Sequence, residues 1–443
     1  MGFKRWTLSA TVAVWLALRA QYYYNFAVLP PLPHGYYAGE ETNGTCSVVR
    51  GVAVSENATM PMKFCEDAVT WKGKTLTRLV ISCDPNRQNW NTVMGPLRDP
   101  TPRGVLWIYD FGNKYHPAPH PLPLEGFPHD ASFHPLGIDV LGATPEEPAH
   151  LFVVNHGKAF STVEQFKLVD DPRTPKAIYV RTWAHPSSLN APNSIVPLSP
   201  TAFYVTNDHY FTRRLPSPWG KFVPLIETLF AVPLGWVDLV EWNEDAGLAV
   251  ALEDASDRKS PQIRTRRIVS GIPFANGISM SHDGREVAIV STTQSAAQFY
   301  DRDPSSNELK YRDAVLVPFN ADNIAYDESE GRHGDIGRTV IVAGHPHFAT
   351  LVKMAAGKTS VSPSWVLEIA PKSSEIANDV HVDEDGKAPY PVYRRVGKAK
   401  NYSIRTLYQS SGEHFPSSTH GVRYGDNFFV TGLYGDGILH CSG

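Results

Sequence analysis

SIVPLSPTAFYVTNDHYF, residues Ser194–Phe211, reads as one complete hairpin and decides the fold. A small polar residue precedes Ile195, a few strand residues reach the turn at Ser199-Pro200-Thr201, and an apolar strand then runs on to Asn207 and Asp208. Short apolar runs closed by turn residues mark strands. A polar or small residue before Ile or Val recurs at Asp67-Ala68-Val69, Gly137-Ile138, Gly277-Ile278, Asn323-Ile324 and Gly421-Val422. Each recurrence is followed by a second apolar strand: LVIS before Cys83, LFVVNHG to Gly157, VAIVSTT to Thr293, TVIVAGHPH to His347 and FFVTGLY to Tyr434. Six copies of one strand unit predict an all-β, six-bladed β-propeller, because a weak internal repeat at blade length is the mark of a radial array.

Composition agrees with this reading. The chain of 443 residues carries 36 Pro and 33 Gly, which suits many short strands joined by turns, and it shows no strongly amphipathic helix. The formal charge of -4, with Lys and Arg scattered, leaves no basic footprint for a nucleic acid. There is no Gly-x-Ser-x-Gly elbow, His-Glu-x-x-His, P-loop, Gly-x-Gly-x-x-Gly or Cys-x-x-Cys, so serine-hydrolase, zinc and nucleotide chemistries lack support. Residues 254–267 are charged and read as a surface loop.

At the N-terminus, Lys4 and Arg5 precede an uncharged run from Trp6 to Leu18, so residues 1–20 read as a signal or anchor segment directing the chain to the secretory route. The same segment offers association with a membrane or lipid. Residues 21–45 read as a linker or packing arm, and residues 46–441 as the propeller. On that route the sequons at Asn43, Asn57 and Asn401 become glycosylation sites. The four cysteines allow three pairings. A Cys46–Cys441 bond would tie the ends of the ring and contribute roughly 5 kcal/mol by loop entropy. Cys65 and Cys83 flank a turn at Trp71–Lys74 and either face each other across a hairpin or stay as buried thiols.

A propeller sets the first strand of each blade around a channel, so chemistry belongs at the mouth of that channel. Oxygen-bearing side chains stand at these strand ends: Glu66 and Asp67, Asn207 and Asp208, Asn276, Asp322 and Asn323. Carboxylates mixed with amide oxygens suit calcium, a hard cation that takes six to eight oxygens. Neighbours on an extended chain point to opposite sides, so Glu66/Asp67 and Asn207/Asp208 could each serve an upper and a deeper ion.

The segments Ser194–Phe211, FANGISMSHDG (Phe274–Gly284), DNIAYD (Asp322–Asp327), VVNHG with STVEQFKL (Val153–Leu168) and the terminal LHC (Leu439–Cys441) resemble the paraoxonase/arylesterase family. The resemblance implies a catalytic calcium on Glu66, Asn207, Asn276, Asp322 and Asn323, and a structural calcium on Asp67, Asp208 and the carbonyl of Ile138. It also implies a Cys46–Cys441 disulfide and hydrolysis of lactones or aryl esters, with the ion polarising the carbonyl while water attacks. In that family a histidine pair is proposed to activate the water. His156 matches one member and His345 another pocket histidine, but Leu136 stands where the second member is expected. Other candidates for the base are His134, Asp322 and His420. Two further readings follow from Leu136 and from the architecture: a non-catalytic, calcium-stabilised luminal or extracellular binding protein, or a sugar-lactonase or strictosidine-synthase-like enzyme.

Overall fold

In the structure, a computed structural model, residues 10–15, 17–20, 37–38, 46–55, 58–74, 76–111, 118–243, 263–327, 337–372 and 401–442 are described. The hairpin that opens the sequence reading is formed: Pro192–Ser199 pairs antiparallel with Ala202–Asn207, Ile195 opposite Val205 and Val196 opposite Tyr204. Gly235–Trp242 and Ile263–Ile272 add two outer strands to complete a four-stranded sheet. The second strand is buried on both faces, which is why it reads as a continuous apolar run instead of an alternation. Residues 263–267, expected in a loop, begin the outermost strand; only its ends, Ile263 and Ile272, are buried, so its charged middle carries no strand signature.

Three more sheets of the same build stand apart. They start on Pro135–Leu141, Ala275–Met280 and Asn320–Tyr326. The remaining strands do not separate into two further blades. Asn427–Asp436 pairs with Lys63–Lys72, Gly432 opposite Cys65, and so joins Ser418–Tyr424, Ile438–Ser442 and Cys46–Val49 to Thr77–Cys83, Val105–Tyr109 and His120–Pro121. Six separate blades were expected; backbone pairing gives four, together with one continuous eight-stranded sheet across the junction of the chain's two ends. The first strands, Lys63–Lys72, Pro135–Leu141, Pro192–Ser199, Ala275–Met280, Asn320–Tyr326 and Ser418–Tyr424, nevertheless pack side by side in a closed circuit, two of them from the large sheet.

All six of these strands slip register at the same point. The shifts fall between Cys65 and Asp67, Pro135 and Ile138, Pro192 and Ile195, Ala275 and Ile278, Ala321 and Ile324, and Ser418 and Gly421. A β-bulge leaves residues out of the ladder and re-aims them. The motif read from the sequence is therefore a bulge followed by the return to regular pairing. Adjacent bulges touch closely: a Cβ on Gly277 would lie 2.6 Å from Asn323 Cα, and one on Gly137 would lie 2.2 Å from the Asn193 carbonyl oxygen. The hydrophobic core lies between facing sheets, as where Phe299 and Val290 meet Val342, Trp365 and Leu367.

Both cysteine pairs are bonded, and in each the two residues lie directly opposite in an antiparallel ladder. Cys46–Cys441 closes a separation of 395 residues. In the arm, Tyr37 and Ala38 pair with Ser410 and Gln409 at the outer edge of a blade. In the N-terminal segment, residues 10–15 and 17–20 are helical, and Arg19 donates to the Ala231 carbonyl. Among the described residues no helix is long and apolar enough to cross a membrane.

Replacing Cys46 and Cys441 together by serine is expected to lower the unfolding free energy by about 2–5 kcal/mol, read by urea denaturation under oxidising conditions. An unchanged midpoint would show that sheet pairing alone closes the ring.

Candidate functional site

The bulges deliver the site. Glu66, Asn276, Asp322 and Asn323 all sit at register shifts, and all are buried. Asn323 Nδ2 donates to Glu66 Oε1 (2.8 Å), reaching past the intervening Ser418–Tyr424 strand, and Asn276 Nδ2 donates to Asp322 Oδ1 (2.6 Å). What remains is a set of orphans: Glu66 Oε2, Asn276 Oδ1 and Asn323 Oδ1 have no hydrogen-bond partner among the described residues. A buried oxygen left without a donor is costly, and three in one cluster call for a shared ligand. Burial, then the charges of Asp67 and Asp322, push the Glu66 carboxyl well above the usual carboxylate range. The cluster is thus short of positive charge. Two carboxylates and two amide oxygens fit a hard, oxygen-seeking cation. Among the described residues no group of three His, Cys, Asp or Glu side chains is arranged to hold a metal ion by itself, so the donor set depends on its amides.

The other expected ligands are placed differently. Asn207 lies in its strand, but its Oδ1 accepts the Ala191 N–H (3.0 Å) and its Nδ2 donates to the Ser188 carbonyl (2.8 Å), so its amide holds the 188–191 loop. Asp67 accepts the N–H groups of Ile138 and Ala68 (both 2.8 Å) and bonds His420 Nδ1. Ile138 therefore turns its N–H, not its carbonyl, toward Asp67. Asp208 is taken up by Asn193 (3.2 Å) and His209 (2.9 Å). The oxygens of Asp67 and Asp208 are thus hydrogen-bonded to protein groups, as are those of Asp322.

Hydrogen-bond directions sort the histidines. His134 is held at both ring nitrogens, by Asp84 Oδ2 at 2.9 Å and the Pro100 carbonyl at 3.1 Å. His156 Nε2 donates to the Pro192 carbonyl (2.7 Å), which leaves Nδ1 to accept the Thr92 hydroxyl (2.6 Å). Its burial drives the imidazole down to about 4. His345 differs: Nε2 bonds Asp322 Oδ2 (2.8 Å), and Nδ1 is buried without a partner. His420 likewise keeps Nε2 free, at the far end of the channel, where a cavity of 270 Å³ reaches Asp67, Asn323 and His420. Leu136 is packed among Phe152, Val154, Val163 and Ile195 and has become a core residue.

Sequence reasoning missed three residues. Arg87 is buried and close enough for its charge to act on Glu66, His156 and Tyr434. Tyr434, raised to about 12 by burial, takes a hydrogen bond from Asn91 (3.1 Å). Asp84 holds His134. Only the Asn-Asp-Pro richness of 84–91 hints at a functional loop. A cavity of 720 Å³ is lined in part by His209, Leu215, Leu225, Thr228, Phe274 and Phe348, with no residue of the cluster in its wall. Of the glycosylation candidates, Asn401 is exposed, while Asn43 and Asn57 lie outside the described residues.

A family profile described as Arylesterase matches residues 96–243. The chain is similar to serum paraoxonase/arylesterase 1 of Mus musculus, 29% identical over 53% of this chain and 57% of the relative. For the human protein of the same name the identity is 30%, over 53% and 57%. Serum paraoxonase/lactonase 3 of Mus musculus is 29% identical over 45% and 47%. The chain thus spans about half the length of the curated relatives it matches.

Because the folded His156 is depressed below its unfolded value, the unfolded chain binds the proton first. Stability should fall as pH drops from 6.5 toward 4, by on the order of 3 kcal/mol from this residue. Urea denaturation of wild type and His156→Gln across that window checks it: the variant should lack this part of the slope, and identical slopes would contradict the assignment.

Proposed function

The chain is related to the paraoxonase/arylesterase family, and from that premise we propose that it hydrolyses lactones or aryl esters with one calcium ion held at the bulge cluster. The observation that carries the reading is the trio of buried, partnerless oxygens on Glu66, Asn276 and Asn323 beside Asp322. These four residues would hold the ion, and calcium bound there would act as a Lewis acid toward the substrate carbonyl.

The chain's own part is proton handling and exclusion of water. Asp322 fixes the ring of His345 through Nε2, so the tautomer with its proton on Nε2 leaves Nδ1 as the open base. That nitrogen takes a proton from the attacking water and returns it to the leaving oxygen, the bond between carbonyl carbon and leaving oxygen breaking as the new carbon–oxygen bond is kept. His345 thereby fills the role left open by Leu136. Phe274, Phe348, Leu215 and Leu225 give the 720 Å³ cavity an apolar wall for the acyl or aryl group. Two disulfides suit an oxidising compartment, in keeping with a luminal or extracellular protein that enters the secretory route. A calcium-stabilised binding protein is the second reading, favoured by the burial of Leu136 in the core.

Purified chain with calcium should hydrolyse phenyl acetate and δ-valerolactone. His345→Gln should lower kcat about 10²–10⁴-fold while calcium binding persists, and Asp322→Ala should lose both. No hydrolysis by the calcium-loaded wild type would favour the binding protein, and full activity in His345→Gln would remove it as the base.

A further inference from the structure

The 720 Å³ cavity has two kinds of wall. Leu215, Leu225, Phe274 and Phe348 form an apolar side, while Arg98, Arg213 and Lys221 bring three cations to the lining and no Asp or Glu joins them. Its size falls within the roughly 300–1,000 Å³ of small-molecule sites, which combine mostly apolar walls with a few placed polar groups. The chain as a whole is acidic, with a formal charge of -4, so three cations on one cavity are a local reversal and not a reflection of composition.

Arg213 is the placed group. It is half-buried, and its guanidinium is tied to backbone alone: Nε donates to the Val93 carbonyl (3.2 Å) and Nη1 to the Lys221 carbonyl (3.0 Å). Nη2 has no acceptor among the described residues and is not sealed from solvent. Burial lowers the pKa of this guanidinium, and no carboxylate raises it. Acids close in the chain are engaged elsewhere: Asp99 accepts the Thr101 N–H, Glu227 those of Tyr210 and Phe211, and Asp208 bonds His209. The contrast is with buried Arg78 and Arg423, each of which holds two carboxylates. The first turn of the helix Trp219–Leu229 lines the same space through Gly220 and Lys221 and carries no acid, so the positive end of its dipole adds to the three cations. A guanidinium already fixed by backbone can take an anion with little further ordering.

We propose that this cavity binds an amphipathic carboxylate, its head on the Arg213 guanidinium and its hydrocarbon or aryl body along Leu225, Phe274 and Phe348. The planar fork suits a carboxylate better than an ammonium would. Arg98 and Lys221 add attraction at longer range and raise the local concentration of the anion. The site needs neither a bound cation nor turnover, so it goes beyond the hydrolase reading and stands or falls separately from it.

Calorimetric titration of the purified chain with octanoate, with its neutral isostere octanamide and with acetate tests this, since none of the three is an ester. Octanoate should fill a single saturable site about tenfold or more tighter than octanamide at low salt, the worth of a charge-assisted hydrogen bond. Acetate, which lacks the apolar body, should bind more weakly than octanoate. The preference for the anion should shrink as NaCl approaches about 1 M. Arg213→Gln should bring octanoate down to the level of octanamide, and Arg213→Lys should keep part of the difference. Arg213 also ties the Val93 loop to the helix, so a second variant leaves that tie intact: Leu225→Asp, at an exposed position in the apolar wall, should weaken octanoate more than octanamide. A wild type that binds octanoate no better than octanamide, or an octanoate preference that folded Arg213→Gln and Leu225→Asp both retain, would overturn the proposal and leave Arg213 as a tie between loop and helix.

Discussion

One backbone device organises this molecule: the register slip near the start of every inner strand. A regular strand alternates its side chains between two faces and spends its amides on the ladder. By inserting a bulge where six such strands converge, the chain frees Glu66, Asn193, Asn276, Asp322, Asn323, Thr419 and His420 from pairing and gathers them on a common axis. The close approach at Gly137 and Gly277 shows how tightly neighbouring bulges are fitted. The disulfides reinforce this where the ring is joined: Cys65–Cys83 pins the bulge that presents Glu66, and Cys46–Cys441 holds the terminal strands together.

Electrostatics follows from that gathering. Removing Glu66, Asp67 and Asp322 from water while crowding their charges raises Glu66, and the oxygens left without a donor among the gathered residues are those of Glu66, Asn193, Asn276 and Asn323. Hydrogen-bond direction then distinguishes groups that composition cannot. His134 and His156 are spent on holding the 84–100 segment and the Pro192 strand in place, whereas His345 keeps a free nitrogen beside Asp322. Leu136 fits this division of labour. An apolar residue occupies that bulge, and the unpartnered imidazole nitrogen beside Asp322 lies on the strand carrying His345.

Much of this was legible in the sequence because it repeats. The polar residue before Ile or Val marks the bulge, and the following apolar run marks a strand buried on both faces, so both survive as local patterns. Glu66, Asn276, Asp322 and Asn323 could be named for the same reason. What escaped depends on partners far apart in the chain. Nothing near Asn207 announces that Ala191 and Ser188 will claim its amide, and nothing near Arg87 announces that Glu66 and Tyr434 will surround it. The fusion of the first and last strand sets into one sheet depends on Gly432 meeting Cys65, a contact between the two ends of the sequence. The outer strand Ile263–Ile272 was hidden because its middle faces solvent and carries the arginines of a loop.

The central claim is that the bulge cluster is a cation site made by this chain's own oxygens. Calorimetric titration of calcium into chelator-treated protein measures it directly, comparing wild type with Glu66→Gln and Asn323→Leu. Saturable binding by the wild type, weakened in both variants, is the predicted result. Absence of binding, or binding that both folded variants retain undiminished, would contradict it.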